Sequence, residues 1–454
     1  MKKRLIALLL VVLVIGVVIA GCGPGETPTE APTQAPEEEQ PTEAEEPTQA
    51  PEEEPAETAV EKSKVVVWMA GDDARFMKDG ELPQKFEEEY PQYDVEIVQI
   101  PWDTLHDKLL AGFSGGELPD VSQGADHWVG EFATLGGLEP MTSFIEEQGY
   151  QKDDFFPKSW DHFQFFDGEI YAAPFYWESR LLFYRPDLFE EAGLSEPPTD
   201  LDEMMEYGKE LSSVEDQFGL AHQTSWLDFH FFSYLLYAYG GDYYNENRTE
   251  CTLTDEAGVQ ALTYYQDLYE EDVIPKNPED RVETFAGYKN GFYAMAESGA
   301  WWLGLINSQA PDLSWDIALL PEGETTLTYG HPNPWLVPQN ASNKEGGKAW
   351  IAFMLEPENA VYWAEYYGQT PTMLAAFDDP ALADSKFQQL MYEAGTRGTK
   401  SLHNIKAAET VSEIIWTELA NVRDEVSTPE QAAENICTNI QQYLWTEDEL
   451  EDFE

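Results

Sequence analysis

From Lys64 onward, short apolar runs alternate with amphipathic stretches, and this alternation limits the fold more than any other feature. "KVVVWMA" (Lys64–Ala70) reads as a strand, and Gly71-Asp72-Asp73 after it as a loop. "LPQKFEEEY" (Leu82–Tyr90) reads as a helix stopped by Pro91. "DVEIVQI" (Asp94–Ile100) alternates with period two, the pattern of a half-buried strand. In "WDTLHDKLLAGF", Leu105, Leu109 and Phe113 recur at i, i+4 and i+8, one apolar helical face. Ser114-Gly115-Gly116 ends that helix, and "LPDV" (Leu118–Val121) restarts an extended segment. Such strand–helix–strand units predict α/β layers with parallel strands.

The rhythm continues downstream. Gly168–Leu194 contains two strands and a short helix, with Pro186 early and Gly193 at its end. Thr199 and Asp202 suit a capping box for a helix over Asp200–Leu211. Helices are expected near Leu227–Tyr239, Asp255–Tyr269, Glu283–Asn290, Glu345–Leu355 and Pro357–Tyr367. Buried strands are expected at Phe292–Glu297 and Trp315–Pro321, and the end, from about Ala381, reads as all helix. No internal repeat is visible. Residues 65–454 exceed one hydrophobic core, so two lobes are expected.

The N-terminus places this body outside the cytoplasm. Lys2, Lys3 and Arg4 precede the uncharged run Leu5–Ala20, the order of an export signal. An uncleaved membrane span is the other reading of such a run. Ile19-Ala20-Gly21-Cys22 resembles the bacterial lipobox, in which the cysteine is acylated and becomes the new N-terminus. Residues 1–21 are thus expected to be a lipoprotein signal peptide. Residues 22–64 then form a lipidated Cys22 followed by a Pro/Glu/Thr-rich leash, whose lack of aromatics leaves nothing to bury.

The chain carries 87 acidic against 25 basic residues, a formal charge of −62. That field disfavours nucleic acid, anionic lipid and anionic solutes as partners. Besides Cys22 there are two cysteines, Cys251 and Cys437, which either pair or remain buried free thiols. No spacing suits a zinc site, and H-E-x-x-H, G-x-x-x-x-G-K-[ST] and C-x-x-C are all missing from the sequence. Nothing singles out a nucleophile, a metal or a cofactor. His127 and His331 read as hydrogen-bonded loop residues.

The aromatics are more informative. Several of the 14 Trp sit beside Gly, Pro or a carboxylate rather than on amphipathic stripes, as in Asp126-His127-Trp128, Tyr176-Trp177-Glu178, Ser225-Trp226-Leu227-Asp228 and Gly299-Ala300-Trp301. A ring face beside acceptors suits a sugar, whose axial C–H groups stack while its hydroxyls bond at the rim.

Four segments together resemble the sugar-binding group of extracellular solute-binding proteins of ABC transporters, the maltose-binding-protein-like family. They are "KLLAGFSGGELPDV" (Lys108–Val121), "YAAPFYWESRLLFYRPDLFEEAGLSEPPTDLDEM" (Tyr171–Met204), "FAGYKNGFYAMAESGAWWLG" (Phe285–Gly304) and "WLVPQNASNKEGGKAWIAFMLEPENAVYWAEYYGQTPT" (Trp335–Thr372). Lys289-Asn290-Gly291 departs from the family's usual Gly-Lys-Ala run. The resemblance implies a type II periplasmic-binding-protein-like α/β fold with ligand between two lobes. By position these are 65–178 with 322–372, and 179–321 with 373–454. Hinges are implied near Trp177–Arg180, Leu319–Glu322 and Thr370–Thr372. It also implies ligand contacts from Trp68, Asp72, Asp73, Gln123, Asp126, Trp177, Glu178 and Trp301, with Trp226 and Trp335 as weaker additions. Trp301 and Trp226 are expected to stack on sugar faces, and Asp72, Asp126 and Glu178 to accept hydroxyl hydrogen bonds.

The implied function is capture without catalysis. A mono- or oligosaccharide would be delivered by a monomer, anchored only by lipid on the outer face of the membrane, to permease subunits. A polyamine is the alternative solute, since aromatic boxes with acids also suit cations. A lipid-anchored carbohydrate-active enzyme is the alternative class.

Overall fold

A computed structural model describes residues 62–221, 223, 226–276, 282–451 and 453. The signal segment, Cys22 and almost all of the leash lie outside the described residues. No helix among the described residues is long and apolar enough to cross a membrane.

Two sheets organise the body. The first begins with β1 (Ser63–Ala70), β2 (Tyr93–Ile100), β3 (Val121–Gln123) and β4 (Ala173–Ser179). The second holds β5 (Leu181–Tyr184), β6 (Phe218–Leu220), β7 (Tyr293–Ser298) and β8 (Asp316–Leu319), in the order β6-β7-β5-β8. The chain then returns through β9 (Thr328–Leu336) and β10 (Thr370–Pro371), giving the first sheet the order β10-β4-β9-β3-β1-β2. β11 (Thr399–Lys400) adds to the start of β9. One residue, Arg180, separates β4 in the first sheet from β5 in the second.

The parallel expectation holds for β1 with β2 and β3 and for β6 with β7. It fails elsewhere. β9 runs antiparallel to both β3 and β4, and β5 runs antiparallel to β7 and β8. Strands that cross between sheets are not joined by a local strand–helix–strand unit, so nothing forces them parallel.

Burial explains the elements. β1 is interior along most of its length, with Val65, Val67, Met69 and Ala70 fully buried, whereas β2 exposes alternate residues as its pattern predicts. Leu105 and Leu109 are buried on the helix Trp102–Phe113, while Phe113 is half-buried. Helix Trp226–Ala238 is apolar on all sides and therefore sits inside. It packs with helices Glu256–Glu270 and Ala408–Arg423 and against β9, in one apolar core with side chains of the second sheet, and helix Pro429–Ile440 joins this core.

Three local readings need correction. Gly71-Asp72-Asp73 is the first turn of a helix, Gly71–Asp79, not a loop. Its two acids lie where the helix dipole favours negative charge. The cap after Pro198 is shifted by one residue. Asp200 accepts from the Glu203 N–H at 2.8 Å, and Glu203 accepts from Thr199. The C-terminal region is not all helix, because β11 and the loop after it interrupt it.

Cys251 and Cys437 are joined, with Cα atoms 5.2 Å apart across 186 positions of sequence. The bond ties a loop to the helix Pro429–Ile440. Reduction is expected to lower stability by about 2–5 kcal/mol. Urea unfolding with and without a thiol reductant measures this, and an unchanged midpoint would contradict it.

Candidate functional site

A cavity of about 370 Å³ opens between elements of the two sheets. The first helix contributes Asp72, Asp73, Arg75 and Phe76. β4 and β9 contribute Tyr176 and Glu178 with their cross-strand partners Asn333 and His331. A bulge between Pro174 and Tyr176 re-aims this stretch of β4. From the other side come Phe229 and His230, Trp301 at the start of helix Trp301–Gln309, and Glu409 of helix Ala408–Arg423.

Asp73 is 4 % exposed and faces the cavity, held by neutral donors. The Gln123 side chain accepts from the Ala70 N–H at 2.9 Å, which turns its NH2 group onto Asp73 at 2.5 Å. The Gln369 amide lies at 3.3 Å and the Tyr176 hydroxyl at 3.4 Å. Burial pushes the Asp73 carboxyl up to about 6, against the pull of hydrogen bonds from Tyr367, Gln123 and Gln369. A ligand donor that needs this carboxylate should therefore bind more weakly as pH falls through about 6, where protonation removes the acceptor. Titration calorimetry from neutral to acid pH tests this, and an affinity that stays flat in Asp73→Asn but falls in the parent confirms the assignment.

Arg180 is wholly buried at the passage between sheets. Its guanidinium donates to Glu178 and, at 2.6 Å, to Nδ1 of His230. Its Nε lies 2.9 Å from Glu297 Oε1, close as charges but off the angle of a hydrogen bond. It also lies 4.7 Å from the centre of the Trp301 ring. Burial would raise the Glu178 carboxyl, but the Arg180 and His331 charges and the Arg180 and Asn333 hydrogen bonds hold it below its usual range. Glu297 is pushed up to about 7 by burial, in spite of Arg180. Burial and the Arg180 charge hold His230 well below the usual imidazole range.

On the opposite wall, Glu409 accepts from Trp128 Nε1 at 3.0 Å and pairs with His127 Nε2 at 3.2 Å. Burial opposes the His127 charge, yet Asp126 and Glu409 raise it to about 9. Glu409 in turn is brought down to about 2 against its own burial, chiefly by His127. His127 and Glu409 therefore face each other as a charged pair.

The family described as bacterial extracellular solute-binding protein matches residues 71–361. The chain belongs to that family. A binding protein of Brucella abortus is 25% identical over 316 residues, 67% of this chain and 74% of its own. The maltotriose-binding protein of Pyrococcus abyssi is 27% identical over 331 residues, 70% of this chain and 68% of its own. An ABC transporter solute-binding protein of Thermotoga lettingae, solved with alpha-D-tagatose, superposes with a TM-score of 0.76 at 24% identity, over 84% of this chain and 100% of that one. The architecture is the type II periplasmic-binding-protein fold.

Within this solute-binding protein, the residues expected at the ligand separate into groups. Asp72, Asp73, Glu178 and Trp301 line the cavity together. Gln123 and Asp126 stand behind it. Asp126 is fully buried, and its oxygens are taken by His127 at 3.4 Å, His162 at 3.2 Å and the Ser401 hydroxyl, with His331 at 3.3 Å. Asp126 is therefore placed to position histidines, its oxygens already engaged by protein groups. Those charges and hydrogen bonds hold it well below the usual carboxylate range despite burial.

Trp68, Trp177 and Trp335 belong to the core. Trp177 alternates with Tyr176 and Glu178 along β4, and its ring stacks on Phe156 at 5.0 Å. Trp335 stacks on Phe175 at 4.2 Å, and Trp68 lies under the Lys108 ammonium at 4.1 Å. The Trp226 side chain lies outside the described residues.

Sequence reasoning missed Phe76, Trp102, Trp128, Tyr367 and Glu409, all on the cavity wall. Trp128 stood in a quoted Asp-His-Trp motif, so its signal was present. Phe76 follows a stretch read as a loop, and Glu409 is one acid among many in a helix with no local mark.

Proposed function

We propose that this protein is the substrate-binding lipoprotein of an ABC importer. It captures a carbohydrate by hinge closure and hands it, chemically unchanged, to membrane permease subunits. The observation that carries this reading is the meeting, in one cavity, of an indole face at Trp301 with acceptors at Asp73, Glu178 and Asn333. Aromatic walls with a few fixed polar groups are what a small-molecule site needs, and about 370 Å³ lies at the low end of such sites. The family and the sugars named for the Pyrococcus and Thermotoga proteins support the same reading.

The lobes of this proposal are 65–178 with 322–372 and 179–321 with 373–454. They turn about Arg180 and the two later passages between sheets. Acylated Cys22 and the leash to residue 64 tether the monomer to the outer face of the membrane. No bond of the ligand is broken.

A thermal-shift screen against mono- and oligosaccharides and polyamines tests the proposal. A bound sugar raises the melting temperature in proportion to RT ln(1 + [L]/Kd) and appears in stoichiometric, unaltered form. A shift with polyamines alone, weakening as salt rises, would replace the sugar with a cation; the acids on the cavity wall favour that second reading. Products released from an oligosaccharide would overturn the binding role.

A further inference from the structure

The charges on the cavity wall do not balance, and the imbalance sits at one residue. Arg75 pairs with Asp72 at 3.1 Å and His127 with Glu409 at 3.2 Å, and Arg180, behind the wall, donates to Glu178. Nδ1 of His230 accepts from Arg180, which leaves that imidazole uncharged, and His331 lies against Asp126. Asp103 is exposed, so water solvates it. Asp73 is the acid left over. It is buried, and the groups that hold it are neutral: Gln123 and Tyr176 on Oδ2, Gln369 at 3.3 and 3.4 Å from its two oxygens, and the Tyr367 hydroxyl. Among the described residues no lysine, arginine or histidine is paired with it.

A second acceptor stands beside it. Gln369 lines the same cavity and is 5 % exposed. Its NH2 group is turned to Asp73, so its Oε1 lies on the other branch of the amide, buried and with no hydrogen-bond partner in the protein. Buried polar atoms are almost always paired, and one that is not, in the wall of a cavity, marks where a ligand donor belongs. We propose that the carbohydrate taken by this cavity carries a protonated amine, whose ammonium group seats against Asp73 and Gln369. The inference rests on the carbohydrate reading above and narrows its ligand to an amino sugar or an amine-bearing oligosaccharide.

The chemistry favours an ammonium over a hydroxyl. A hydroxyl offers one hydrogen, whereas an ammonium offers three, enough for the carboxylate and the amide oxygen together. A carboxylate held out of water without a counter-charge is costly, and a cation brought by the ligand supplies what the wall lacks. At neutral pH the Asp73 carboxyl, pushed up to about 6 by burial, is still ionised. The Glu178 charge reaches Asp73 too and adds to the negative field at this end of the cavity.

Titration calorimetry of the full chain at pH 7 tests this with glucose, galactose, mannose, cellobiose and maltose. Each is set against its amino-deoxy forms, with the amine at each ring position in turn, and spermidine is run alongside. In the parent, one amine-bearing form should bind at least about tenfold tighter than its neutral counterpart. Asp73→Asn should abolish that preference, and Gln369→Met should reduce it. A general attraction of so acidic a chain for any cation would survive both substitutions. A preference unchanged in either variant therefore overturns the proposal, as does a parent that binds the neutral sugar as tightly as every amino form. A parent that takes spermidine but no sugar, or nothing in the panel, removes the carbohydrate reading itself, an outcome distinct from a neutral sugar bound as well as its amines.

Discussion

Replacing Arg180 with methionine is expected to cost about 3–5 kcal/mol of stability, the largest effect of any single change described here. The side chain is wholly buried and compensates two interior carboxylates, Glu178 of β4 and Glu297 of β7. Without it, Glu297 is left uncompensated in the interior and Glu178 loses its cation at the cavity wall. Glu297 already titrates near 7 under the pull of burial, so loss of the guanidinium drives it to hold its proton. A folded-state pKa above the unfolded value of 4.5 means that the native state binds the extra proton, and stability falls as pH rises through that window. The deficit of Arg180→Met should thus be larger at pH 8 than at pH 5. Urea unfolding at both values measures it, and Arg180→Met/Glu297→Gln should recover part of the loss at pH 8. A single variant as stable as the parent at pH 8 would refute the compensating role.

The second large effect is on binding. Trp301→Ala should weaken the ligand found by screening by about 30-fold or more, the loss typical of a central tryptophan. Trp301 is half-buried on the cavity wall, with Arg180 over its ring. The variant should fold normally, because the helix that carries it is anchored by Trp302 and Ile306. Trp301→Phe should fall between the two. An affinity within about threefold of the parent for Trp301→Ala would move the stacking role elsewhere on the wall.

The fold was largely legible, and the reason is local. β1, β2 and the helix Trp102–Phe113 each announce themselves by composition and period. What was not legible depends on partners far away in sequence. The antiparallel setting of β9 between β3 and β4 cannot be read from "HPNPWLVP". The site divides in the same way. Asp72, Asp73, Glu178 and Trp301 follow strand ends and helix starts, where order along the chain fixes position. Trp177 lies in the core because one step along a strand turns a side chain to the opposite face, whereas Trp335, two steps past Asn333 on β9, lies beyond the cavity against Phe175. Asp126 stands behind the cavity for a different reason. Its neighbours His162, His331 and Ser401 come from three distant segments, and their convergence uses up the acceptors that a ligand would need.

The late arrival of β9 also dictates how such a chain can be made. Until Thr328–Leu336 has been added to the chain, β3 and β4 each lack the neighbour that separates them, and both present bare edges. The first sheet made before that point must wait, unfinished and prone to stick to its own kind. A fragment ending before residue 328 is therefore an aggregation hazard, and the living cell has reason to shield this nascent polypeptide until its closing strand emerges.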